Sequence, residues 1–338
     1  MLARDDRFTT APRPFEPALK ARLAKQRALA HRGELEDNWR RGRGREIEAT
    51  GVPARDAVTI HVFLEGNTSI MKISRLPIVL LALVVATPAL AARCGGDFNT
   101  FLASMSADAQ AAGISQGVIG EAFAGVTEDG AVLNFDRRQR YTFNKTFEQY
   151  VSTRVGSGRI NGGRAMLARN AALLSRIEQR FGVPRQILVA IWGLETDFGK
   201  GDMGRLPVIR TLATLAHDCR RSELFQGELL AALKIVQRGD LPLRDLIGAF
   251  AGEIGQTQFL PSSYIKYGVD FDGDGRVDLR HSVADVLAST ANLLHTNGFK
   301  MGESYAEGSA NFEAMREWNH AEIYRKTIGY FADQLVGR

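Results

Sequence analysis

Cysteine is nearly absent: Cys94 and Cys219 are the two in 338 residues, and neither sits in a CxxC. No Cys/His cluster has zinc-ligand spacing, so dithiol redox and zinc-ribbon chemistry are set aside. No period of 20–50 residues repeats, which argues against a solenoid or propeller. No run alternates apolar and polar residues convincingly enough to read as a series of strands. The Gly-Lys at Gly199-Lys200 fails as a P-loop, because Gly193 and Gly199 enclose five residues and Gly201 stands where Ser or Thr is required. A charge excess is missing from most of the chain too. The net +5 comes from the N-terminal part: residues 1–70 hold 13 Lys/Arg and 10 Asp/Glu, and residues 71–93 hold three cations and no acid. Residues 94–338 hold 27 basic and 28 acidic residues. A main domain so balanced has no electrostatic footprint for nucleic acid, and none is expected as a partner.

What is present begins with a three-part export pattern at 71–92. Met71-Lys72-Ile73-Ser74-Arg75 is a short basic start, Leu76 to Val85 is apolar apart from Pro77, and Ala89-Leu90-Ala91 is a small-x-small cleavage signal. The apolar run is short for a membrane span of about 20 residues. An uncleaved anchor or a buried helix is the competing reading. Arg93 stands where a lipoprotein signal wants a small residue before Cys94. Seventy residues precede this segment, rich in Arg (Arg40-Arg41-Gly42-Arg43-Gly44-Arg45) and poor in apolar periodicity. They read as disordered, or as an upstream extension that is not translated, with initiation at Met71. A basic arm for nucleic acid or acidic lipid is the alternative. Export places the protein in an oxidising compartment, the periplasm. There a lone cysteine pair forms a disulfide, Cys94–Cys219, with two independent thiols as the alternative.

Residues 94–338 read as one domain, and the fold class is mainly α. Phe98, Leu102 and Met105 recur at helical spacing, as do residues from Ala165 to Phe181. Pro184 opens a helix through Gln186–Trp192 that is apolar almost all round and should be central. Further helices are expected at 206–218, 223–237, 243–250, 282–296 and 321–335.

Two constellations carry chemistry. The central helix ends in Gly193-Leu194-Glu195-Thr196-Asp197-Phe198-Gly199, placing a carboxylate at the rim of an apolar helix before a glycine turn. Burial disfavours the charged form of an acid, which suits a group that must deliver a proton. A solvated helix-end glutamate is the plain alternative. Asp197, two residues on, would not share its face on a continuing helix, so a retaining carboxylate pair about 5 Å apart is not evident. The second constellation runs from Gly248 to Tyr267. Its glycines allow close backbone approach, Gln256 and Gln258 suit hydroxyl or acetamido groups, and Tyr264 and Tyr267 could stack on sugar rings. The alternative is a glycine-rich turn with core tyrosines.

Three segments in order resemble the lytic murein transglycosylase B family: Trp192 to Gly199, Gly255 to Tyr264, and Val269-Asp270-Phe271-Asp272-Gly273-Asp274-Gly275. The resemblance runs from about Tyr150 to the C-terminus, and Asn311-Phe312, Trp318-Asn319 and Tyr324 to Phe331 look like the family's closing segment. It implies a lysozyme-like core and one catalytic glutamate, Glu195. That residue would protonate the bond between N-acetylmuramic acid and N-acetylglucosamine, then take the proton of the muramic C6 hydroxyl as it attacks C1. The product is a 1,6-anhydro end. One carboxyl serving twice needs no catalytic cofactor and no second carboxylate. Residue by residue, Gln258 matches a glycan contact, Tyr150 a cleft tyrosine, Arg220-Arg221 a basic pair near the strand, and Tyr305 and Asn319 later substrate-side positions. Two departures stand out. Ala249 replaces a serine beside the glutamate, so Glu195 must be oriented by another group, and the stretch from Phe299 to Asn311 is short.

Asp270, Asp272, Asp274, Gly275 and Asp278 occupy positions 1, 3, 5, 6 and 9 of an EF-hand-like calcium loop, with the Arg276 carbonyl at position 7. His281 stands where the bidentate glutamate belongs, and Asp285 is the candidate replacement. The resemblance supports a structural calcium of this modified kind; an acidic surface turn is the alternative. The partners implied are peptidoglycan glycan strands. Cell-wall synthesis or divisome proteins are not readable from the sequence. Rival functions are a lysozyme-type hydrolase, a noncatalytic peptidoglycan-binding protein and, more remotely, a calcium-dependent adhesion module. N-terminal sequencing of the native protein is expected to start close to Cys94; a mature chain still carrying Arg43 would show that 1–70 are translated and retained.

Overall fold

The computed structural model describes residues 94–138 and 146–338. The expectations for 1–70 and for the export segment 71–92 lie outside the described residues. Thirteen α-helices and one two-stranded antiparallel sheet make up the described chain. None of these helices is long and apolar enough to cross a membrane.

The N-terminal helices are α1 (Phe98–Ala111), α2 (Gln116–Phe123), α3 (Gly130–Arg138) and α4 (Phe147–Arg154). Side-chain caps set their starts. Asp97 accepts from the Thr100 amide at 2.8 Å, and Thr146 and Gln149 form a reciprocal capping box. The helical stretch expected from Ala165 to Phe181 is broken into α5 (Ser157–Arg169) and α6 (Ala171–Phe181). Asn170 joins them, its side-chain amide donating to the Met166 carbonyl at 3.0 Å and so competing with the helix ladder.

Helix α7 (Arg185–Thr196) is the centre of the fold, and Pro184 precedes it as expected. Every residue from Ile187 to Thr196 is buried. Each fully buried Leu or Ile there stabilises by about 1.5–3 kcal/mol. The helix is enclosed by α5, α6, α11 (Val283–Thr296) and α13 (Glu322–Val336). Helices α8 (Val208–His217) and α9 (Ser222–Arg238) pack on each other, and α9 also supports the short α10 (Pro261–Tyr267). Helix α12 (Ala310–Ala314) leads into α13.

The helix expected at 243–250 does not form. Leu243–Asp245 is a single 3-10 turn, and Ile247–Gly248 is strand β2, paired with β1 (Leu206–Pro207). The expected helix 206–218 correspondingly starts two residues late. Tertiary pairing overrides local propensity here: a Cβ on Gly204 would lie 2.0 Å from the Gly248 carbonyl, and one on Gly248 would lie 2.2 Å from the Glu253 oxygen. Cys94 and Cys219 form the expected disulfide, tying the start of the described chain to the α8–α9 turn.

Candidate active site

Glu195 lies in the last turn of α7, and the helix stops by reversal rather than fraying. Asp197 (φ 51°), Phe198 (φ 61°) and Gly199 (φ 75°) are all left-handed. For residues with a Cβ this costs about 1–2 kcal/mol each, and it persists where the surroundings over-determine it. The surroundings do so here. The amides of Asp197 and Phe198 reach back to the Gly193 and Trp192 carbonyls at 3.1 and 3.3 Å. Arg159 Nε holds Asp197 Oδ1 at 3.2 Å. The Phe198 ring lies edge-on to Trp192, centroids 5.8 Å apart, over Gly193, where a Cβ would approach it to 2.7 Å.

Glu195 is 8% exposed. Its Oε1 accepts hydrogen bonds from Tyr324 Oη at 2.9 Å and Trp318 Nε1 at 3.3 Å. Neither donor was foreseen as a partner of Glu195; they lie 129 and 123 residues away, and only their place in the closing segment hinted at them. They supply the orientation that Ala249, a methyl group, cannot. Tyr150 of α4 is brought to the same place. Burial pushes its hydroxyl above the usual phenol range and the Glu195 charge adds to this, while Arg154, 5.4 Å from the ring centroid, opposes it.

The loop from Ala249 to Leu260 braces this end of α7. Gln256 Oε1 accepts from Trp192 Nε1 at 2.9 Å, and its Nε2 donates to the Arg280 carbonyl at 2.9 Å. Thr196 Oγ1 donates to the Gln256 carbonyl. The Gln256 amide is thus engaged within the protein at both ends, which corrects its expected role as a glycan contact. Gln258 is also left-handed (φ 58°), with Nε2 donating to the Gly255 and Met203 carbonyls at 2.7 and 3.1 Å. Phe259 meets Trp318 edge-on at 5.5 Å.

Tyr264 is a second correction. It is fully buried, its hydroxyl donating to the Val277 carbonyl, and burial drives its acidity far below that of an ordinary phenol. Tyr267 is buried as well, accepting from Asn297 Nδ2 at 3.2 Å. Neither ring is available for stacking. Arg220 Nη2 pairs with Asp136 and Asp218, both at 2.6 Å, and Arg221 pairs with Asp136. The pair clamps α3 to the α8–α9 turn, and Arg220 keeps an exposed side (40%). Asn319 is buried, its Oδ1 accepting from the Ala321 amide at 2.9 Å, so it shapes the turn that presents Trp318. Tyr305 lies apart, its hydroxyl on Asp333; burial and that carboxylate push it up to about 12.

Of the acidic loop, Asp270, Asp272 and Asp285 converge, one oxygen of each lying within 4.8 Å of the others. Asp274 instead bonds the Arg276 amide and guanidinium at 2.9 and 3.2 Å, and Asp278 meets His281 Nδ1 at 2.9 Å. The full EF-hand spacing is therefore not gathered. Asp285 is completely buried, and burial raises its carboxyl above the ordinary range, with the Asp272 charge adding to this.

The family model of the transglycosylase SLT domain matches residues 97–308. The chain is 43% identical over 135 residues to the membrane-bound lytic murein transglycosylase B of Escherichia coli K12; the match covers 39% of this chain and 37% of that relative. It resembles SltB3 from Pseudomonas aeruginosa, solved with NAG-anhNAM-pentapeptide, at 32% identity and a TM-score of 0.67, covering 72% of this chain and 80% of that one. Soluble lytic transglycosylase SltB1 of the same organism shares the fold, at 24% identity and a TM-score of 0.65, covering 70% of this chain and 98% of that one. If Gln256 is a brace, Gln256→Ala leaves the Trp192 N–H and Arg280 carbonyl without partners. It should destabilise the protein by about 2–4 kcal/mol, measured by urea unfolding; an unchanged midpoint would refute the brace.

Proposed function

The chain belongs to the transglycosylase SLT domain family, and from that premise we propose that it is a peptidoglycan lytic transglycosylase with Glu195 as its one catalytic acid and base. The observation that carries the reading is the buried Glu195 carboxyl at the reversal of α7, gripped on Oε1 by Tyr324 and Trp318. A carboxyl so fixed can protonate the glycosidic oxygen between N-acetylmuramic acid and N-acetylglucosamine. The proton returns from the muramic C6 hydroxyl as that oxygen bonds to C1, closing a 1,6-anhydro ring. Bonds balance without water: the C1–O bond to the leaving sugar breaks and the C1–O6 bond forms. Asp197, the carboxylate nearest in sequence, is occupied by Arg159 at the helix end and is not needed as a nucleophile. Catalysis uses no cofactor. The structure of the 32% identical SltB3 with an anhydro-sugar fragment favours this route over hydrolysis.

Tyr150 and Gln258 contact the glycan strand, with the exposed side of Arg220 beside it. The setting is the periplasm, reached through the segment 71–92; cell-wall synthesis proteins are the natural partners of such an activity.

Muropeptides released from purified sacculi, read by mass spectrometry, test the reaction. Anhydro-muropeptides are expected from the native protein, and a rate at least about 10²-fold lower from Glu195→Gln. Reducing-end products would mean a hydrolase, and full activity in Glu195→Gln would remove the assignment. Tyr324→Phe should lower kcat about tenfold or more with KM little changed, because a hydrogen bond that orients Glu195 is lost.

The Asp270, Asp272 and Asp285 oxygens fit one calcium ion. Ligands about 2.4 Å from a shared ion lie no more than about 4.8 Å apart, and the three oxygens meet that limit. The ion's role is structural: it offsets three converging carboxylates, one of them fully buried. Calcium at about 100 times its Kd should stabilise the protein by about 2.7 kcal/mol, seen as a raised Tm. Asp285→Asn should abolish the calcium response, and a Tm indifferent to calcium in the native protein would dismiss the site.

A further inference from the structure

Helix α13 has two working faces. Tyr324, Ile328, Phe331 and Leu335 form its buried stripe, and Tyr324 reaches Glu195. Lys326, Tyr330 and Asp333 lie about half a helical turn away, on the opposite face. There they wall a groove of about 940 Å³ together with Phe147, Tyr305 and Phe312. A volume of that order is that of a ligand site, and it is separated from the catalytic carboxyl by the thickness of α13.

Tyr330 is one of only three large hydrophobic side chains that are exposed among the described residues, at 37%. Its ring is held in place, with Phe147 edge-on at 6.1 Å and 86°. A fixed aromatic face open to solvent can be covered by the apolar face of a flat, amphipathic ligand. The charges around it decide which kind. Lys326 Nζ sits 2.8 Å from both Glu307 and Glu322. Asp333 accepts the Tyr305 hydroxyl, and Glu303 faces Lys300 at 3.7 Å. Glu148 also lines the groove, and Lys326 is shared between two acids, so the rim is acidic on balance; it repels a phosphate and leaves carboxylate oxygens to accept from hydroxyls. It offers instead an aromatic platform ringed by carboxylate acceptors and an ammonium donor, the complement of a neutral polyhydroxylated ring.

The geometry points to a second, noncatalytic carbohydrate subsite on the outer face of α13, which takes an N-acetylated amino-sugar segment with Tyr330 as its platform. This rests on the peptidoglycan reading above for the natural polymer, though not for the chemistry of the groove. The subsite holds a part of the sacculus other than the bond being cleaved, so it acts on the capture of polymer and not on the chemical step.

The test titrates chitotetraose into Glu195→Gln protein and into the Glu195→Gln, Tyr330→Ala double variant, followed by calorimetry and by NMR of the aromatic resonances. Two classes of site are expected in the first and one in the second, with Tyr330→Phe restoring both because the ring is kept. In the otherwise native protein, Tyr330→Ala should raise KM for sacculi about fivefold and leave turnover of short soluble glycan unchanged. Identical isotherms in the two proteins, or an unaltered KM for sacculi, would overturn the subsite. Displacement of the glycan by isolated stem peptide would overturn its carbohydrate specificity. Loss of anhydro products from the native protein while Tyr330-dependent chitotetraose binding persists would sink the catalytic reading and uphold this one.

Discussion

The site depends on the way α7 ends. A helix apolar on every side is forced into the centre of the fold, and a glutamate in its last turn is carried there with it. If α7 continued, Glu195 would be closed in; if it frayed, the carboxyl would swing into water. Three left-handed residues in a row, two of them with side chains, prevent both. Their cost is offset by Phe198, whose ring fills the space over Gly193 and Gly162, and by Arg159 on Asp197. The glycines at 162 and 193 therefore help to hold Glu195 in place, because each leaves room for the Phe198 ring.

The reversal is itself held from outside. Gln256 reaches Trp192 with its side chain and Thr196 with its backbone, and a Cβ at Gly199 would lie 2.4 Å from its Oε1. That is why a glycine follows Phe198. The loop that carries Gln256 cannot be helical, because Gly248 and Gly204 bring three backbone segments closer than any Cβ allows. The tiny sheet is a by-product of that approach.

These links explain what could be read from the sequence. The centrality of α7, the place of Glu195 and the disulfide were legible, since each rests on local periodicity, helix position or a compartment argument. The helix expected at 243–250 was wrong because residues Leu243 to Phe250 look locally helical, and only their neighbours require extension. Tyr264 and Gln256 were misread for a related reason. A tyrosine or glutamine in a glycine-rich segment looks the same in sequence whether its polar end meets a ligand or a buried carbonyl; Val277 and Arg280, their partners, lie 13 and 24 residues on. The Arg220–Arg221 pair is expected beside the glycan strand, but its clamp on α3 is not legible in the sequence, because Asp136, which pairs with both, is more than 80 residues earlier.

Ala249 shows how such a site tolerates change. A hydroxyl at that position would be a local donor, on the same loop as the brace. Here the donors to Glu195 come from the C-terminal segment, and both fall on Oε1. The orientation of the acid is thereby linked to the docking of α13 on α7 and to the turn capped by Asn319. Trp318 is additionally fixed by Phe259 from the brace loop, so the two supports of the carboxyl share a side chain contact. Tyr324, Ile328, Phe331 and Leu335 are all buried in the docking of α13, and a stripe packed at interior density fixes the hydroxyl that reaches Glu195.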